Sequence, residues 1–295
     1  MYRIVKKWIR GNRVSSISDE QKTENINAFP CATWADEEEV RDGGMPYQAE
    51  DFQIHYVLGS GSYGTVVCAT KKKKSAENST FRYALKSINK AEVVRRSNLD
   101  HLIDEKRLLQ QMDSRFIVKF FGSFQTNDQI FLVTELLEND TLTNVIYDSD
   151  LSFAGMPKAL LRFYAASLVL ALSHIHSKGV AYRDLKPENV MLDRKGYIRI
   201  IDFGFAKSIP YTSIDKNSGE EVVCYKSFTS CGTPEYLAPE VVTNQGHGPS
   251  ADLWSLGTVI YEISRGESLF HNKNEFLIFK NIADAAYSVR NSGFY

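Results

Sequence analysis

The sequence predicts an α+β protein of two lobes, a small β-rich lobe with one helix followed by a larger, mainly helical lobe. Three observations carry this. From Phe52 to Glu135, short β-branched and aromatic runs alternate with turn residues. Beyond Tyr147, apolar residues recur at helical spacing instead. The 295 residues, 43% hydrophobic and 24% charged, suit one large domain or two lobes with an ample core.

Residues 1–51 read as a polar N-terminal extension, with the acidic run Asp36, Glu37, Glu38, Glu39 and the turn-like pair Gly43 and Gly44. Within it Ile4, Trp8 and Ile9 form one helical stripe beside Lys6, Lys7 and Arg10. This stripe reads as a membrane-surface helix or, more simply, as a short helix resting on the domain behind it. Tyr2 excludes N-myristoylation. The strand-like runs are "FQIHYVLG", "TVVCAT", "RYALKSI", "FIVKFFGSF" and "IFLVTE". Lys71, Lys72, Lys73 and Lys74 fall in a connection between two of them, where the absence of interleaved aromatics favours a solvated loop over a nucleic-acid patch.

One helix is expected among the strands, over residues 99–112. The first long helix of the second half places Leu161, Tyr164, Leu168, Leu172 and Ile175 on one face, with Pro157 at its start and Gly179 at its end. His174 and His176 lie on different faces of it, which argues against a shared metal. A second long helix, "SADLWSLGTVIYEISRG", is apolar nearly all round and is expected to be buried.

Composition excludes several classes. A net charge of −1 gives no general attraction to nucleic acid or anionic membrane. Cys31, Cys68, Cys224 and Cys231 form no Cys-x-x-Cys pair and no zinc spacing. "MYRIVKKWIR" lacks the apolar core of a secretory signal, and no stretch reads as long enough for an integral membrane segment. Reduced thiols and a cytoplasmic location, with nuclear entry left open, are the expectation.

The chemistry starts at "LGSGSYGTV", where Gly59, Gly61 and Gly64 have the spacing Gly-x-Gly-x-x-Gly. A nicotinamide-dinucleotide fold would open a helix after the third glycine. Here the strand "TVVCAT" follows, so the glycines sit in a strand-turn-strand that lets backbone amides approach phosphate oxygens. Lys86, twenty-two residues past Gly64, faces inward from an apolar strand and needs anionic partners, which phosphates and Glu105 would supply. In "AYRDLKPENVML", Asp184 is suited to accept a hydroxyl proton, Lys186 to neutralise a transferred phosphoryl group and Asn189 to offer Mg²⁺ a neutral oxygen. Asp202, in "DFG" eighteen residues after Asp184, provides a second metal ligand.

"GSGSYG", "YALK", "YRDLKPEN", "DFG" and "APE" occur in this order, and over residues 52 to about 270 the chain resembles the eukaryotic protein kinases. "DFGFAK", "CGTPEYLAPE", "EKRLLQ" and "RFYAASLVLAL" are similar to the AGC group, particularly the catalytic chains of the cAMP- and cGMP-dependent kinases. The resemblance implies the two-lobed kinase fold over residues 52–295, with lobes of about 52–135 and 136–295 after the polar extension. It also implies ATP, two Mg²⁺ ions, and phosphorylation of serine or threonine in protein substrates.

By the same resemblance, ATP is met by Leu58, Gly59, Ser60, Gly61, Ser62, Tyr63, Gly64, Thr65, Val66, Ala84 and Lys86. Thr134 is the gatekeeper, Glu135 and Leu137 form the hinge at adenine, and Met191 closes the sandwich with Val66 and Ala84. Lys86 pairs with Glu105, Asn189 and Asp202 hold metal, and Lys186 with Thr233 marks serine/threonine specificity. Tyr182 stands where His is commoner, a replacement usual in this group. Leu109, Phe120, Tyr182 and Phe203 match the stack that joins the lobes, anchored at Asp252.

Glu188 and Glu262 match acidic positions that receive a substrate arginine, while Thr141 replaces a third such acid. Thr229 matches the activation-loop phosphosite, with Arg183 as the partner of its phosphate. No cyclic-nucleotide domain fits beside a kinase in 295 residues, so regulation of that kind implies a separate regulatory subunit. The chain ends 33 residues after Glu262, so the second lobe is expected to be incomplete. A kinase-fold binding module or scaffold with little turnover is therefore the alternative. Glu240, whose family partner is a late arginine, is expected to lack one, with only Arg265 and Arg290 on offer.

Overall fold

The computed structural model describes residues 47–61, 64–72, 81–95, 99–147, 156–209 and 226–285. The expected N-terminal stripe, Ser62, Tyr63, Lys73, Lys74, Cys31, Cys224 and Arg290 lie outside them. The chain divides into two compact units, Tyr2–Glu138 and Asn139–Tyr295.

The first unit is a five-stranded antiparallel sheet. Its strands are β1 (Phe52–Gly61), β2 (Gly64–Lys71), β3 (Arg82–Asn89), β4 (Phe120–Gln125) and β5 (Gln129–Glu135), in the order β1-β2-β3-β5-β4. Because side chains alternate across a strand, each strand offers two sets of residues. One set, Phe52, Val67, Ala69, Tyr83, Leu85, Phe124, Phe131 and Val133, forms a core with Tyr47. Phe52 stacks on Phe124 at 5.4 Å, and Phe124 on Phe131 at 4.6 Å. Burial of each such aromatic contributes roughly 1.5–3 kcal/mol. Tyr47 belongs to the segment read as polar extension, yet it packs into this core at 5.4 Å from Phe52. The packed structure therefore starts a turn earlier than the polar sequence around it indicates.

Two helices, not one, join β3 to β4: α1 (Lys90–Arg95) and α2 (Leu99–Gln111). The additional short helix owes its existence to local polar contacts. Asn89 Oδ1 accepts from the Glu92 amide at 3.3 Å, and Arg95 forks onto Glu92 three residues away at 2.6 and 2.8 Å.

In the second unit come α3 (Leu142–Tyr147), α4 (Lys158–Ser177), β6 (Val180–Ala181), β7 (Val190–Leu192), β8 (Ile198–Ile200), β9 (Lys207–Ser208), α5 (Pro239–Val242), α6 (Ala251–Arg265) and α7 (Glu275–Ala283). Thr141 opens α3 by accepting from the Asn144 amide at 3.3 Å, a capping role that suits Thr where the resemblance leads one to expect an acid. The predicted face of α4 is buried at Tyr164, Leu168, Leu172 and Ile175, with Leu161 partly covered. Pro157 precedes the helix, and Gly179 follows it with φ 68°.

By length and composition α4 would pass for a bilayer span, contrary to the sequence expectation. Here its buried stripe packs inside the unit, and its last turn is tied to α6 by His176.

The second long helix, α6, is also not buried all round. Leu253 is 57% exposed, because polar Asp252, Ser255, Thr258 and Glu262 take up part of the buried side. Trp254 stacks on Phe270 at 5.8 Å beside Ile278 and Ile282, so α7 covers this end of α6. Glu240 is half-buried, and its charge acts on His247, where it opposes the burial that lowers the imidazole.

Candidate active site

In the first unit, strand pairing aligns the residues expected at the nucleotide. Val66 sits opposite Lys86, Ala84 opposite Thr134, and Lys86 opposite Leu132. These positions alternate with the aromatic core residues, so Val66, Ala84, Lys86 and Thr134 share the other face of the sheet. Lys86 Nζ meets Glu105 Oε1 of α2 at 2.6 Å, with only 22% and 7% of the two side chains exposed. The expected ion pair is therefore formed. Thr134 Oγ1 donates to Ala84 O at 3.4 Å. The Glu135 carboxylate accepts the Lys119 amide at 2.9 Å, and Leu137 is buried.

The glycine turn lies between β1 and β2, with Gly61 opposite Gly64. A Cβ at Gly59 or Gly61 would meet nothing within 4 Å, so this stretch leaves open space over its backbone. Leu58 is 41% exposed beside it, and the hydroxyls of Ser60 and Thr65 face each other at 3.4 Å. Gly64 differs: its φ is 148° and a Cβ would lie 1.9 Å from Ser87 O.

In the second unit, Asp184 is 7% exposed and both its carboxylate oxygens are engaged. Oδ1 accepts from the Thr233 amide at 3.1 Å and its hydroxyl at 3.0 Å. Oδ2 accepts from Asn189 Nδ2 at 2.8 Å and faces Lys186 Nζ at 3.1 Å. Lys186 also donates to Thr233 Oγ1 at 2.7 Å. Four residues from two distant stretches thus form one network. Gly232 permits the approach: its φ is 108°, and a Cβ there would meet Arg183 O at 2.7 Å.

Asn189 and Asp202 are brought together by backbone pairing. Val190 pairs with Ile200, and the Ile201 amide donates to Asn189 O at 3.1 Å. The Asn189 amide group is committed to Asp184, through Oδ2 and the main-chain oxygen at 2.9 Å, so among the described residues its Oδ1 is the atom that could hold a metal. Asp202 Oδ1 accepts from the Gly204 amide at 3.0 Å. Met191 lies on β7, in bridge pairing with Thr141.

The loop carrying Asp184 hangs from Asp252, a fully buried carboxylate on α6. It accepts the Tyr182 amide at 2.8 Å, the Arg183 amide at 2.7 Å and His176 Nε2 at 2.8 Å. Tyr182 packs edge-on against Phe203 at 5.4 Å, the half of the expected stack that belongs to this unit. With Asp202, Asp184 and Asp252 nearby, burial first and these charges second push the Tyr182 phenol well above its usual range.

The two acidic positions differ. Glu188 is exposed on the turn before β7, whereas Glu262 is 2% exposed on α6. Its Oε1 accepts from Tyr147 and its Oε2 from Tyr236, both at 2.7 Å. Thr229 is exposed, and its amide donates to Ser227 Oγ at 3.4 Å. That same hydroxyl receives Arg183 Nη1 at 3.1 Å, so Ser227 holds the guanidinium the sequence reading reserved for Thr229. Sequence reasoning missed Ser227, Tyr147 and Tyr236. Tyr147 stands 115 residues from Glu262, and no local pattern marks it.

The family described as "Protein kinase domain" matches residues 52–292. The chain is 38% identical over 247 residues to "cAMP-dependent protein kinase type 3" of Saccharomyces cerevisiae, covering 84% of this chain and 56% of that protein. It is 37% identical over 247 residues to the "cAMP-dependent protein kinase catalytic subunit" of Arthrobotrys oligospora, covering 83% and 43%. It is 35% identical over 237 residues to "cGMP-dependent protein kinase 2" of Homo sapiens, covering 80% and 28%. The chain thus spans about half the length of the first two relatives, or less.

Proposed function

The chain belongs to the protein kinase domain family, and from that premise we propose that it transfers the γ-phosphoryl group of ATP to serine or threonine hydroxyls of protein substrates. The observation that carries this is the network at Asp184, a carboxylate held by Thr233, Asn189 and Lys186 with each oxygen engaged. A carboxylate so fixed can receive the hydroxyl proton while the substrate oxygen bonds to the γ-phosphorus and the bond to the ADP oxygen breaks. Lys186, already directed at Thr233 and Asp184, offsets charge on the group in transfer.

Lys86, held by Glu105, is assigned to the nucleotide phosphates together with the glycine turn at Gly59, Gly61 and Gly64. Val66, Ala84, Thr134, Glu135, Leu137 and Met191 are assigned to the base. The donor set at Asn189 and Asp202 fits Mg²⁺, a hard ion that takes one or two protein oxygens and fills its remaining positions with phosphate and water. Two Mg²⁺ ions are the expected complement, and when bound they neutralise phosphate charge. Glu188 and Glu262 are assigned to basic residues before the target, and Thr229 to activating phosphorylation. A separate regulatory subunit belongs to the same reading, by likeness to a protein named as a cAMP-dependent protein kinase catalytic subunit.

A peptide-library assay with purified protein, Mg²⁺ and ATP tests this. Transfer to serine and threonine peptides is expected, and Asp184→Asn is expected to abolish it while leaving ATP affinity nearly intact. ATP binding without transfer to any peptide, or substantial residual turnover in the Asp184 variant, would overturn the reading.

A further inference from the structure

Glu262 is a nearly fully buried carboxylate that meets no cation among the described residues. Among the described residues its contacts are two neutral phenols, Tyr147 of α3 on one oxygen and Tyr236 on the other. Burial pushes its carboxyl above the usual range, the nearby Glu188 and Glu235 push the same way, and the two phenols oppose them. His271 does not serve it, being placed on Glu235 at 3.0 Å. Neutral donors fix a carboxylate in space without cancelling its charge. Isolated buried charge is costly, so such a site is poised for an incoming cation. The two tyrosines are not equivalent: Tyr236 is 7% exposed, whereas Tyr147 is 47% exposed and is the one of the pair that reaches solvent.

We propose that Tyr147 is a positioning and specificity residue for a guanidinium of the peptide substrate: its phenol fixes Oε1 of Glu262, and its exposed ring borders the place the guanidinium takes. This rests on the assignment of Glu262 to a basic substrate residue made above. The planar guanidinium suits the site better than an ammonium, because it can fork onto a carboxylate while lying against an aromatic face. Tyr147 itself stays protonated as a donor, since its burial and its contact with Glu262 raise its phenol far above neutral pH.

The test uses three peptides that differ only at one position before the phosphoacceptor, which is Arg, Lys or Ala. Direct binding by fluorescence anisotropy and steady-state kinetics are measured for the wild type, Tyr147→Phe and Glu262→Gln. Tyr147→Phe is expected to weaken the Arg peptide roughly tenfold in Kd and KM. The loss should fall on KM rather than kcat, and the preference for Arg over Lys should shrink. Groups facing Glu262 are Tyr147, Tyr236, Glu188 and Glu235. Without one donor to its charged form, the acid-side loss of Arg-peptide affinity should begin at higher pH in the variant.

Equal weakening of the Arg and Ala peptides would reduce Tyr147 to a packing role and overturn the inference. So would unchanged Arg-peptide affinity in Tyr147→Phe while Glu262→Gln weakens it, an outcome that leaves the Glu262 assignment standing. Unchanged affinity in Glu262→Gln would overturn that assignment and the inference with it.

Discussion

Arg183 adopts φ 68°, a left-handed backbone that costs a residue with a side chain on the order of 1–3 kcal/mol. Surrounding contacts hold it there: its amide on Asp252, its Nε on Phe205 O at 2.7 Å and its Nη1 on Ser227. The strain aims the chain so that Asp184, one residue on, meets Thr233, Asn189 and Lys186. It also leaves a guanidinium beside the segment that carries Thr229. A phosphate on Thr229 would add about −1.5 to −2 charges and compete with the Ser227 hydroxyl for Arg183. Thr229→Ala is therefore expected to lower turnover severalfold relative to phosphorylated wild type, measured by kinase assay with the modification followed by mass spectrometry. Equal activity in the two would remove Thr229 from the mechanism.

At the scale of elements, the β1–β2 turn separates two kinds of glycine. Gly59 and Gly61 stand over open space, whereas Gly64 is wedged against the β3 backbone in a conformation that side chains avoid. Gly64→Ala is expected to destabilise the protein by several kcal/mol, since the 1.9 Å contact with Ser87 O cannot be relieved without moving β2 from β3. Gly61→Ala should cost less than about 1 kcal/mol, as it meets no atom. Denaturant melts of the two variants check this; similar losses in both would show that the turn, and not the contact with β3, controls stability.

For the whole molecule, the assigned residues are divided between the two units: Lys86 and Glu105 in the first, Asp184, Asn189 and Asp202 in the second. A ligand that binds only the folded protein raises its melting temperature in proportion to the logarithm of its excess over Kd. Mg-ATP is expected to do so here. Lys86→Met and Asp202→Ala, one from each unit, should each cut that rise sharply, and in Asp202→Ala the Mg²⁺-dependent part should vanish. A full rise in either variant would remove that residue from nucleotide binding. The measurement is a thermal shift at several ATP concentrations with and without Mg²⁺.

The two-lobed α+β class, the strand runs, the apolar face of α4 and the residues around Asp184 were all legible in the sequence. Each depends on short-range order: alternation along a strand, 3.6-residue periodicity, or polar residues packed into a few positions of one loop. The Lys86–Glu105 pair was legible too, because an inward lysine requires an acid and the next helix supplies one. The additional helix at Lys90–Arg95, the burial of Tyr47, the open side of α6 at Leu253 and the hold of Ser227 on Arg183 were not. The last three depend on which distant segments come to pack together, whereas the helix rests on short polar contacts around Glu92 that no apolar periodicity marks. Glu262 shows the division most clearly. A resemblance could assign it to a substrate cation, but only tertiary packing joined α3, the turn at Tyr236 and α6 around one buried carboxylate. Among the described residues it is two neutral phenols that hold its charge.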